Sequence, residues 1–128
     1  MAAAQKTRPK YYDLNLAHLP PPGLVSIFHR VSGALLFFPI LPVILYLLHD
    51  TLSSEARFER WHDFFTHRAV KLVVIGAAWL YAHHFFAGIR YLLLDLHIGI
   101  EKVPARTSAL AVLALGVLAA IAIGVCLW

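Results

Sequence analysis

Three long stretches of this chain are apolar, and its charged residues are confined to the segments between them and near their ends. Each stretch is about 20 residues or more, the length a helix needs to cross the hydrocarbon of a bilayer. Within lipid the backbone must satisfy its own hydrogen bonds, and a helix does so within one segment. Only 14% of the 128 residues are charged and 60% are hydrophobic, whereas a soluble domain carries about a quarter charged residues. The sequence therefore predicts an all-α integral membrane protein with three transmembrane helices and no second globular domain. The formal net charge of +4 needs no nucleic acid partner, because basic residues flank spans and set topology. The one cysteine, Cys126, makes no internal disulfide and supplies no iron–sulfur cluster. No C-x-x-C-H signature of covalently held haem occurs.

The expected segments follow from the charge pattern. Residues 1–23 form a cytoplasmic N-terminal segment. Lys6, Arg8, Lys10 and Asp13 interrupt any apolar core there, so it does not read as a signal peptide. It ends in Pro20-Pro21-Pro22-Gly23, a stiff, extended entry to the first span. The first transmembrane helix is residues 24–48, kinked or loosened by Pro39 and Pro42. Residues 49–67 are a periplasmic connection, and 58–65 within it fits a short amphipathic helix at the interface. The second transmembrane helix is 68–95, followed by a cytoplasmic connection, 96–107. The third is 108–128, rich in alanine and leucine, whose small residues allow close packing. With the N-terminus inside, Lys6, Arg8, Lys10, Arg30, Arg90, Lys102 and Arg106 lie on the cytoplasmic side. Arg57, Arg60, Arg68 and Lys71 lie opposite. The excess favours a cytoplasmic N-terminus and a periplasmic C-terminus. An initiator Met1 so close to the first span points to a bacterial inner membrane.

Polar residues inside spans are expensive and mark sites or partners. Ser26 and Arg30 are four apart and share a helix face. A hydroxyl and a guanidinium there are able to donate to a quinone carbonyl, and the same Arg30 also fits a side chain that snorkels to the interface. His29 lies about 100° further round. In the second span Tyr81, His84, Gly88, Tyr91 and Asp95 follow helical steps and form one stripe. His84 lies ~16 Å along the axis from Asp95, near mid-membrane. Gly88, one turn away, leaves room for a flat macrocycle. Histidine is a standard axial ligand of haem iron. His83 and His84 point about 100° apart and cannot both hold one iron, and His29 is expected to lie too shallow to be the second ligand, so a six-coordinate haem needs a histidine from another chain. The competing reading has both histidines bonded to neighbouring helices. Asp95 is expected to pair with Arg30 or Arg90. His18, His49, His62, His67 and His97 fall in loops or at span ends.

The strings 8-RPKYYDLNL-16, 26-SIFHRVSG-33 and 84-HFFAGIRYLLLD-95 resemble the cytochrome b-type membrane anchor of succinate dehydrogenase (succinate:quinone oxidoreductase, complex II). The likeness spans nearly the whole chain in order and spacing. It implies that the three helices form half of a heterodimeric bundle with a second membrane-anchor subunit. It implies His84 as axial ligand of haem b, with that second anchor supplying the opposite ligand. Ser26 and Arg30 match the ubiquinone site, and His29, Gly88, Arg90, Tyr91 and Asp95 fall in the haem and quinone vicinity. A flavoprotein and an iron–sulfur protein are the implied soluble partners. They oxidise succinate and pass electrons to ubiquinone, and no succinate chemistry falls on this chain. The family commonly has His where this chain has Tyr91, and His83 is additional. A fumarate reductase anchor using menaquinone, or a structural anchor without haem, is the alternative.

Overall fold

The computed structural model describes residues 18–128, so the string at 8–16 and the charges Lys6, Arg8, Lys10 and Asp13 lie outside the described residues. The described chain is helical throughout. Its elements are α1 (Pro21–Leu35), a π-helical turn (Leu36–Ile40), α2 (Leu41–Thr51), α3 (Glu55–Thr66), α4 (Arg68–Asp95) and α5 (Lys102–Leu127). Three helical stretches are long and apolar enough to cross a membrane: Pro21–Thr51, Arg68–Asp95 and Lys102–Leu127.

The helix α1 starts inside the proline run. Pro20 is the extended N-cap, and Pro21 and Pro22 occupy the first turn. Proline is tolerated there because the first N–H groups of a helix have no internal acceptor anyway. Pro39 falls mid-span, where its ring meets the carbonyl four residues back and its missing N–H breaks the ladder. The backbone widens into the π turn around it and then resumes as α2, with Pro42 in the first turn. The loosening expected from the two prolines is thus confined to one turn.

After α2 the chain folds back through α3, capped by the Ser54 hydroxyl, which accepts from the Arg57 N–H at 3.4 Å. Asp50 ties α3 to α2. One carboxylate oxygen accepts from Arg57 Nη1 at 2.6 Å, the other from Trp61 Nε1 at 2.9 Å. The amphipathic element read at 58–65 lies within this helix. The α2 helix carries no buried residue, and a wholly apolar groove of about 730 Å³ opens between it, α3 and α4.

The closest packing is between α4 and α5. Ala109, Val112, Gly116 and Ala120 line the buried stripe of α5 against Ala82, His83, Ala87 and Arg90 of α4. At Gly116 an added Cβ would stand 3.4 Å from His83 Cβ and 3.5 Å from its Cα, so only a small residue lets the backbones approach this closely. Arg90 crosses to α5, donating from Nε to Ser108 Oγ at 3.0 Å and from Nη2 to the Ala105 carbonyl at 3.2 Å. At the other end Lys71 Nζ donates to the Leu127 carbonyl at 2.7 Å and lies over the Trp128 ring. The turn after α4 is a Schellman closure: His97 N–H bonds the Leu94 carbonyl and Ile98 N–H the Leu93 carbonyl, with His97 left-handed at φ 61°. The α1 helix lies across this pair, and Val25, Ala87, Ala109 and Val112 form the small common core. Most large apolar side chains remain outside it, Phe37 at 65% and Phe38 at 73% exposure among them. Such a surface suits lipid and neighbouring helices rather than water.

Candidate functional site

The polar residues of the spans gather where α1 crosses α4. His84 sits about three-fifths of the way along α4, ~24 Å from its start and ~16 Å from its end. Its Nδ1 lies 3.2 Å from the His29 carbonyl and 3.2 Å from Ser32 Oγ. Ser32 Oγ in turn lies 3.0 Å from that same carbonyl and donates to it. A carbonyl only accepts, so Nδ1 carries a proton, and in the neutral imidazole Nε2 then carries the lone pair. Among the described residues Nε2 has no hydrogen-bond partner, and it is not sealed from the surface.

Three further groups fix the ring. The His29 imidazole stacks on it with centroids 4.3 Å apart and planes 12° apart. Gly33 meets its edge, where an added Cβ would stand 2.9 Å from Cε1. Beyond the ring, an open and mostly apolar groove of about 640 Å³ runs along Leu36, Phe37, Ile40, Tyr81 and Phe85. A neutral imidazole with an engaged Nδ1–H, a free Nε2 and an apolar slot beside it has the chemistry of a haem ligand. The residues present fit that group.

His83 is a different case. It is fully buried, with Phe28 and Trp79 at 5.8 and 5.6 Å between ring centroids and Gly116 beneath it. Neither ring nitrogen has a hydrogen-bond partner among the described residues. The Val25 carbonyl approaches without reaching hydrogen-bond geometry. The chain's own helices close around it, so no group shared with another chain reaches it.

Comparison with known proteins places the chain in a family. The family described as "Succinate dehydrogenase/Fumarate reductase transmembrane subunit" matches residues 4–123. A relative named "Succinate dehydrogenase cytochrome b556 subunit", from Coxiella burnetii (strain RSA 493 / Nine Mile phase I), is 38% identical over 123 residues. That alignment covers 94% of this chain and 97% of the relative. The chain belongs to the succinate dehydrogenase/fumarate reductase transmembrane subunit family. The resemblance read from the sequence holds, and the role of a membrane anchor in an oxidoreductase complex follows.

Within this membrane anchor the expected site residues separate into two sets. His84, Gly88 and Tyr91 face α1, and His29 lies among them, 5.1 Å from the Tyr91 ring between centroids. The nearest atom to a Cβ at Gly88 is His29 Nε2, at 3.8 Å, so the space opened there borders an imidazole of the same chain. The His29 ring lies level with His84 rather than too shallow to reach it, but face-to-face rings with centroids 4.3 Å apart leave no room for an iron between two of their nitrogens, so His29 does not stand opposite His84 across one iron. Ser26 is half-buried and Arg30 exposed, on the flank of α1 away from the core. Arg90 turns to α5 instead. Asp95 is exposed and makes no ion pair among the described residues. The expected pairing with Arg30 or Arg90 is therefore corrected. Five residues of helix turn Asp95 by about 140° from Arg90, and α5 supplies neutral acceptors to the guanidinium instead. Ser32 and Gly33 stand in the sequence only as part of a motif. Their contact with His84 depends on the crossing of two helices, which spacing along one helix does not reveal.

Proposed function

We propose that this membrane anchor holds one haem b through His84 Nε2, jointly with a second membrane-anchor subunit that supplies the opposite ligand. It also forms part of a ubiquinone-reduction site through Ser26 and Arg30. The observation that carries the reading is the state of His84: proton on Nδ1, lone pair on Nε2, ring immobilised, apolar groove alongside. The name of the Coxiella relative, a cytochrome b556 subunit, supports the same cofactor. A flavoprotein and an iron–sulfur protein are the proposed electron-delivering partners, in a bacterial inner membrane with this chain's N-terminus in the cytoplasm. Succinate oxidation takes place on those partners. The family description also covers fumarate reductases, and the relative's name favours the succinate-oxidising direction.

Bound haem b supplies a one-electron carrier inside the membrane. This chain's part is to present a neutral imidazole at a fixed angle and keep water away with Leu36, Phe37, Ile40 and Phe85. At the quinone, Ser26 and Arg30 share a face at the proposed cytoplasmic end of α1. The guanidinium donates to a quinone carbonyl oxygen and stabilises the charge that develops on it, while the Ser26 hydroxyl orients the ring. Placed in preorganised donors rather than water, that charge costs little reorganisation.

The test is the visible spectrum of the purified complex, parent against His84→Ala. The Soret and α bands of a b haem should vanish or collapse in the variant. Identical spectra would remove His84 as ligand and return the chain to a structural anchor.

A further inference from the structure

We infer that Ser32 and Gly33 of α1 act together as a positioning device for the His84 ring, fixing its tautomer and rotation and thereby tuning the potential of the iron it holds. The inference rests on the proposal that His84 binds haem.

Ser32 is only 1% exposed, a hydroxyl inside an apolar bundle. Such a group is costly unless bonded. A serine in a helix commonly spends its hydroxyl on a carbonyl three or four residues back, and Ser32 does so, to His29 at 3.0 Å. That bond alone makes it a structural residue. What sets it apart is the second contact, 3.2 Å to His84 Nδ1 on another helix. Because the Ser32 proton goes to the His29 carbonyl, its oxygen faces Nδ1 with lone pairs. The Nδ1–H therefore meets two acceptors, the hydroxyl oxygen and the carbonyl. Both hold the proton on Nδ1 and leave Nε2 as the donor to metal. Hydrogen bonds of this kind orient a ligating imidazole and raise its basicity.

Gly33 makes the approach possible. A Cβ there would be 2.9 Å from Cε1 and 3.4 Å from Nδ1 of His84. Real Cβ contacts are not that short, so an alanine drives the ring away from its acceptors. The ring also cannot slide freely, since His29 covers one face. The His29 carbonyl decides which nitrogen is protonated, Ser32 adds the second acceptor, and Gly33 sets how near the acceptors stand.

A more basic ligand favours the oxidised iron. Weakening the acceptor pair should therefore raise the midpoint potential. One hydrogen bond's worth of change corresponds to roughly a fivefold shift in the reduced-to-oxidised ratio at fixed poise. The experiment uses the complete complex carrying Ser32→Ala, Ser32→Thr, Ser32→Cys or Gly33→Ala. Haem content, midpoint potential and the low-spin electron paramagnetic resonance spectrum are read in each. Ser32→Ala should keep its haem, move the potential upward and alter the resonance anisotropy. Ser32→Thr, which restores a hydroxyl, should return both toward the parent. Should the alanine variant not assemble, Ser32→Cys keeps a side-chain atom in the hydroxyl's place and weakens the acceptor, and should move the potential the same way by less. Gly33→Ala should change the resonance spectrum even where haem is retained. Parent potential and parent resonance in the haem-loaded Ser32 variants would overturn the inference and leave His84 as ligand untouched. A parent-like spectrum in His84→Ala would instead overturn the reading on which it rests.

Discussion

Along α4, the side turned to α5 carries His83, Ala87 and Arg90, all buried, and the side turned to α1 carries His84, Gly88 and Tyr91, all only half-buried. On the first side every neighbour belongs to this chain. Gly116 lets α5 approach, Arg90 is bonded to it, and His83 is walled in by Phe28 and Trp79. On the second side α1 covers only part of the surface, and an open apolar groove continues past His84. Two adjacent histidines thus have opposite surroundings. One side holds the bundle together, and the other leaves His84 open beside an apolar groove. In lipid, where apolar burial gives little drive to helix association, close packing and interhelical hydrogen bonds do the holding. The first side has both.

The sharpest way to test this division is a substitution on the open flank that should change function and leave the bundle alone. Arg30 is exposed and, among the described residues, belongs to no bond that secures the helices. Arg30→Leu should lower quinone reduction on the order of 100-fold, the effect of losing one preorganised donor at a developing charge. Succinate oxidation measured with an artificial dye acceptor, haem content and thermal stability should all stay near the parent. Parent-level quinone reduction would remove Arg30 from the quinone site.

How far the sequence carried the reading depends on what kind of contact was involved. The three spans and the stripe through His84, Gly88 and Tyr91 were legible, because apolar length and the 3.6-residue period are local properties. The sequence prefers His84 over His83 on the stripe and the motif, and the enclosure of one ring against the openness of the other was not legible there. Contacts between helices were harder. The Ser32–His84 bond spans 52 residues and the Arg90–Ser108 bond 18, and no spacing rule on a single helix yields either. Asp95 shows the failure in the other direction. An acid expected at the same membrane end as two arginines invites a pair, yet helical rotation sends Arg90 to α5 and leaves Asp95 outside.

A smaller effect is expected on the closed side, and in stability rather than activity. Arg90→Leu removes both of its donors from α5, while the Ser108 hydroxyl keeps its bond to the Ala105 carbonyl, at 3.2 Å. Interhelical hydrogen bonds in membranes are worth about 0.6 kcal/mol on average and about 1–2 in model peptides. The loss should be about 1–3 kcal/mol, read as a lower midpoint of denaturation of the purified complex. The haem potential should hold, because Arg90 faces away from His84. A shifted potential with unchanged stability would reverse the roles given to the two sides.

The smallest expected effect is at His83, and it is the strictest test of the comparison. Its imidazole is fully buried and neither nitrogen is bonded among the described residues. An unsatisfied buried polar group costs about 1–3 kcal/mol. Replacing it by an apolar ring should recover some of that cost. His83→Phe keeps the ring contacts with Trp79 and Phe28. It adds volume above Gly116, where overpacking costs about 1–3 kcal/mol. The two contributions are of similar size and opposite sign, so the net change in stability should lie within about 1 kcal/mol. Haem content, spectrum and potential should match the parent. If His83→Phe instead lost the haem bands while His84→Ala kept them, the assignment of the two neighbours would be exchanged, and enclosure within one chain would no longer distinguish a packing histidine from a ligand.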